Sequence, residues 1–103
     1  MIPKSFKIGA LTITTEIDRT MCQERRICGE ARYPQQTIVL DPTLHELEGI
    51  TQAHYHEKIH WILYVMNRHD LRTDEAFVDV FAHLLMQADS TSTSYFTSED
   101  LKP

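Results

Sequence analysis

Positive charge is scarce in this chain: ten Lys and Arg stand against fifteen Asp and Glu, a net charge of −5 over 103 residues. Nucleic-acid affinity rests on cations clustered at phosphates, so this balance argues against a nucleic-acid partner. The densest basic stretch, Arg25, Arg26 and Arg32, is interrupted by Glu24 and Glu30 and reads as a solvated loop and strand face. Cysteine is scarcer still. Cys22 and Cys28, with five residues between them, fit neither a CxxC redox spacing nor a four-ligand zinc ribbon. In a reducing cytosol both are expected outside any disulfide, one of them buried. No apolar run approaches the length of a bilayer span, and Met1 to Ala10 lacks the long apolar core of a signal peptide. The expectation is a soluble, cytoplasmic protein with no membrane partner. With 42% hydrophobic residues the chain suits one globular domain with a modest core, too small for an added substrate-binding module.

What is present divides simply. Phe6 to Ile17 alternates in parts, with Leu11, Ile13 and Ile17 apolar between Thr12, Thr14 and Glu16, and predicts a half-buried strand entered through a turn at Gly9. Ile27 to Tyr33 and Thr37 to Asp41 predict a hairpin about Tyr33-Pro34-Gln35-Gln36, stopped by Asp41-Pro42. A helix of roughly 25 residues is expected from near Thr43 to about Asn67, with Gly49 a weak point. A second helix should run from about Thr73 to Gln87, with Thr73 or Asp74 as N-cap. From residue 89 the chain is rich in Ser and Thr without periodicity and reads as a flexible tail, leaving 1–88 as the domain. The fold class expected is α+β.

The first helix contains His56, Glu57 and His60 in the run HEKIH. A spacing of four places both imidazoles on one helical face, one turn apart, where they can converge on one metal ion while Glu57 projects beside them. Such five-residue patterns also recur by chance, so the context decides. A catalytic zinc needs three protein ligands and a water. Fifteen residues after His60 comes Glu75, followed one turn later by Asp79 and by the apolar stripe Val78, Ala82, Leu85 and Met86. Alone, Glu75 is also an ordinary first-turn acid favoured by the helix dipole. Coupled to HEKIH it can complete a metal site, and Asp79 can take the outer N–H of a ligating imidazole, which fixes the tautomer. On the first helix Tyr55, Ile59, Ile62, Leu63 and Met66 fall at core spacing, beside the face that carries His56, Glu57, His60 and Tyr64. Trp61 is expected to be partly buried.

The strand QTIVLDP, the helix with HEKIH and the Glu-led DEAFVDVFAHLLMQ together resemble the ImmA/IrrE-like group of small metallopeptidases, especially the minimal versions carried by bacteriophages and prophages. The resemblance covers about residues 5 to 88. It implies a small zincin-like domain of gluzincin type, in which N-terminal antiparallel strands precede the HExxH helix and a second, Glu-bearing helix. The ligands would be His56, His60 and Glu75 to Zn2+, with Glu57 as the catalytic base and Asp79 supporting, and the substrate a specific, repressor-like protein. One departure is Lys58, which stands where many members have an apolar or small residue and is expected to face solvent or substrate.

On that reading a zinc-activated water attacks the peptide bond, and Glu57 accepts its proton and passes it to the leaving amine. Tyr64, His54, His69 and Tyr33 are candidate donors to the oxyanion. By analogy with zincins, Thr37 to Leu40 is the expected edge for pairing with a peptide. Two alternatives stay open. A SprT-like protease would take a His as third ligand, with His69 or His83 available, although Glu75 fits the spacing better. A zinc-stabilised binding module would need no base, which Glu57 argues against. The metzincin pattern is absent, since Leu63 and Met66 stand where it needs Gly and His.

Overall fold

The computed structural model describes residues 2–43, 46–93 and 98–102. Gly9 turns the first expected strand back on itself. Its φ of +58° lies in the left-handed region that glycine enters without a Cβ penalty. Two strands result, β1 (Ser5–Ile8) and β2 (Leu11–Ile17), paired antiparallel with Phe6 opposite Ile13. A short helix α1 (Met21–Arg25), which no periodicity announced, leads to the expected hairpin of β3 (Gly29–Arg32) and β4 (Thr37–Leu40). Pro34 occupies the turn, the Gln36 N–H donates to the Tyr33 carbonyl at 3.2 Å, and Gln36 takes a φ of +53°.

β2 pairs in parallel with β4, Thr14 opposite Thr37 and Ile17 opposite Leu40, so the sheet order is β1-β2-β4-β3. The sheet is therefore mixed, not purely antiparallel as expected. Thr37 to Leu40 also loses the role of peptide-binding edge, because β2 and β3 occupy both its sides. The free edge on that side is β3.

The rest is helical. α2 (Leu47–Val65) starts after Glu46, later than expected, and runs through Gly49 without a break; residues 44 and 45 lie outside the described ones. A one-turn helix α3 (His69–Arg72) fills what reads in sequence as a loop. α4 (Glu75–Thr91) starts where Asp74 caps it, the carboxylate accepting the Phe77 N–H at 3.0 Å. It continues past Gln87 into the stretch expected as a tail, where a single 3-10 turn (Glu99–Leu101) follows. Residues 94–97 and 103 of that stretch lie outside the described ones. No helix among the described residues is long and apolar enough to cross a membrane. The domain is thus a small α+β unit, a four-stranded mixed sheet with four α-helices among the described residues.

α2 lies between two cores, and this positions the site. Against the sheet it places Trp61, fully buried with Ile13, Ile38 and Leu40, its indole N–H donating to the Thr37 carbonyl at 3.1 Å. Partial burial was the wrong expectation for this residue: an indole whose N–H has a partner can be enclosed completely. Against α4, Ile59 and Leu63 pack on Val78 and Ala82. Met66, expected in the core, is 58% exposed because the chain leaves the helix there. At the end of β4, buried Asp41 accepts N–H groups from Cys22 and Thr43 at 2.9 Å each, and the Thr43 hydroxyl as well, tying α1 to the sheet. Cys22 is buried, and neither cysteine is in a disulfide.

Candidate metal centre

His56 and His60, one turn apart on α2, turn their Nε2 atoms toward each other at 3.2 Å. Glu75, in the first turn of α4, brings Oε2 to 2.9 Å from His56 Nε2, and Oε1 to 3.2 Å from His60 Nε2. Two imidazole nitrogens that close cannot both carry protons, so at least one lone pair points into the cluster. Donors bound at 2.0–2.1 Å around a tetrahedral ion stand about 3.3 Å apart. The observed 2.9, 3.2 and 3.2 Å fit that edge length. Among the described residues this is the group of His, Cys, Asp and Glu able to hold an ion. Burial lowers the pKa of His60, favouring the neutral ring that a metal ligand requires.

Outer groups stand beside both rings. The backbone of Arg72 in α3 acts on the His60 imidazole in the direction that favours its protonated form, against the larger effect of burial. Asp79 stands with Oδ1 3.5 Å from His56 Nδ1, beside the ring's outer nitrogen, while its carboxylate is 69% exposed. Neither His69 nor His83 joins the cluster: His69 is exposed and accepts from Arg72 Nε through Nδ1 at 3.2 Å, and His83 lies on the exposed side of α4.

Glu57 is 8% exposed, on the floor of the cleft between β3 and the two helices. Burial pushes its carboxyl up to about 7, against the opposing pull of His56 and of the Ala31 backbone. Space for it comes from Gly29, where a Cβ would stand 3.1 Å from Glu57 Oε2. Nothing in the sequence marks Gly29 or Ala31 as neighbours of the acid, because that contact joins elements far apart in the chain. The sequence did carry a signal for Gln52, four residues before His56 on the same helical face; it lines the same cleft, of about 690 Å³.

Of the four candidate oxyanion donors, Tyr33 lines this cleft. Its ring stacks on Tyr64 at 4.3 Å and meets Trp61 edge-on at 4.9 Å, and burial raises its pKa. His54 lies on the other side of α2, 3.4 Å from the Thr15 hydroxyl and edge-on to Phe6, with its pKa pushed down to about 4 by burial. It is a neutral core histidine. Lys58 is half-buried, its ammonium 5.1 Å from the centres of the Phe6 and Tyr55 rings.

No family model, curated protein or solved structure matches this chain.

Proposed function

We infer that the chain is a zinc-dependent peptidase of minimal zincin type, related to the ImmA/IrrE-like group, that acts on a protein or peptide substrate. One observation carries this reading: two imidazoles and a carboxylate converge at ion-binding distances beside a buried carboxylate that is not among them. A site built only to brace the fold has no use for that fourth group. Two nitrogens and one oxygen suit zinc among the common divalent ions, and three protein ligands are the number that catalytic zinc sites use. Zinc held there would supply Lewis acidity, acidifying water and polarising a carbonyl.

The chain's own residues supply the remaining parts. Glu57, with its pKa near neutrality, is suited to accept a proton from water and return it to a leaving amine. Tyr33 presents a phenol to the same cleft as an oxyanion donor. The free edge of β3, whose Gly29 to Ala31 line the cleft, offers backbone groups to an extended peptide.

The test is metal analysis alongside cleavage of a mixed-sequence fluorogenic peptide library. Wild type and Glu57→Gln should each carry one zinc per chain, and His60→Ala should not. Hydrolysis by Glu57→Gln should fall by at least about a hundred-fold, the loss expected on removing a general base. Unchanged turnover in Glu57→Gln would overturn the role given to this residue. Stoichiometric zinc without hydrolysis of any peptide would leave a zinc-stabilised binding module instead.

A further inference from the structure

Arg72 is the one Lys or Arg among the residues lining the cleft. It ends α3 and lines the cleft together with His56, His60 and Glu75, so it stands beside the metal cluster. Its guanidinium lies 5.0 Å from the centre of the Tyr33 ring and 5.8 Å from that of Tyr64. Those rings are stacked on each other and lean on buried Trp61, so the cation rests on a platform continuous with the core. Nε donates to His69 Nδ1 at 3.2 Å, and the positive charge of the guanidinium pulls the Tyr33 pKa down against the larger effect of burial.

No carboxylate among the described residues pairs with it. Glu30, in the same cleft, is held by Arg25 at 2.7 Å and Arg32 at 2.6 Å, and Glu75 is turned to the histidines. A guanidinium has five donors in a planar fork, and the bond to His69 leaves the others available. Such a fork binds a carboxylate through two parallel hydrogen bonds, and it is costly to leave unpaired once a ligand displaces water from the cleft.

We propose that Arg72 binds a carboxylate of the substrate, so that the cleft selects peptides with a free carboxylate close to the bond cleaved. The carboxylate is either the C-terminus or an acidic side chain. The catalytic consequence rests on the peptidase reading; the binding itself does not.

A 15N-labelled sample separates the two. N-acetylalanine should shift the Arg72 Nε–Hε resonance saturably, while N-acetylalanine amide should bind at least tenfold more weakly. Arg72→Gln should lose the difference between acid and amide, and Arg72→Lys, which keeps the charge, should retain part of it. The proposal is overturned if N-acetylalanine leaves the Arg72 resonance unmoved, or if it binds Arg72→Gln as tightly as wild type, as a carboxylate taken by the metal alone would. Kinetics then locate the source. Fluorogenic peptides made as free acid or amide, each with internal Glu or Gln, should show at least a tenfold kcat/KM preference, expressed in KM, for whichever carboxylate Arg72 receives. That ratio should collapse to about one in Arg72→Gln; an undiminished ratio would reduce Arg72 to a clamp for the tyrosines. Saturable binding without cleavage of any peptide would uphold the carboxylate site and defeat the peptidase reading.

Discussion

His56 and His60 stand on a helix packed on two sides, whereas Glu75 opens a helix that leans on α2 and α3 and leaves Val80, Phe81 and Leu84 exposed. The difference shows in the side chains. Those of His56 and His60 are 20% and 10% exposed, that of Glu75 68%. The cluster therefore has a fixed half, built into the core, and a peripheral half delivered by the short α3 and the first turn of α4. A metal ion joining them would fasten the second half to the first. Removing core from the fixed half should cost stability, and altering the peripheral half should cost metal affinity first.

The sharpest contrast sets Trp61→Ala against Glu75→Ala, both measured without metal. Emptying a fully buried aromatic site costs about 3–5 kcal/mol, a large share of the roughly 5–15 kcal/mol that holds a domain together. Urea unfolding should show that loss for Trp61→Ala. Glu75 is exposed, so its removal should leave unfolding within about 0.5 kcal/mol of wild type. Zinc affinity should instead fall by about a hundred-fold or more, since even loss of a supporting partner outside the ligands costs ten- to a hundred-fold. Equal destabilisation by the two substitutions would erase the distinction between the halves.

The fixed half should also carry an acid-sensitive joint. The Thr43 hydroxyl, then the Cys22 and Thr43 backbone N–H groups, hold the Asp41 carboxyl down at about 2, below the ordinary 3.8. A carboxyl whose folded pKa is depressed contributes stability that is whole above its unfolded pKa and is lost as pH falls through the folded value. Metal-free protein should therefore lose stability between about pH 4 and pH 2. Asp41→Asn should be less stable at neutral pH and show a flatter profile in that window. Equal slopes for the two proteins would show that this joint does not govern the acid limb.

The cluster is readable in the sequence because its information is local. HEKIH needs only the 3.6-residue period, and Glu75 only an N-cap at Asp74 followed by an apolar stripe. The sheet order is not local. Apolar alternation in Leu11 to Ile17 suits a strand at an edge or inside equally well. The one available clue was the unbroken run Ile38-Val39-Leu40, every residue of which is buried, as in a strand covered on both faces. α1 has no apolar period of its own and is held through Asp41, 19 residues from Cys22. Arg72 gives no sign in a loop-like stretch, because its setting is made by Tyr33 and Tyr64 from other elements.

The smallest predicted effect bears most directly on how the halves communicate. Asp74 touches no ligand, yet its carboxylate accepts the Phe77 N–H and so closes the first turn of α4, which carries Glu75. Replacing an Asp N-cap with Ala costs about 1 kcal/mol, because an orphan N–H of the first turn loses its partner and fraying begins there. On α2 the N-cap Glu46 makes no such side-chain bond, so Glu46→Ala should alter almost nothing and serves as the control. If Glu75 is positioned by the cap, Asp74→Ala should weaken zinc binding by about fivefold, the share of 1 kcal/mol that a frayed turn must recover on binding. Isothermal titration of zinc into both variants reads this directly. The whole expected loss of about 1 kcal/mol in Asp74→Ala with unchanged zinc affinity would mean that the packing of Val78 and Ala82, and not the cap, sets the position of Glu75.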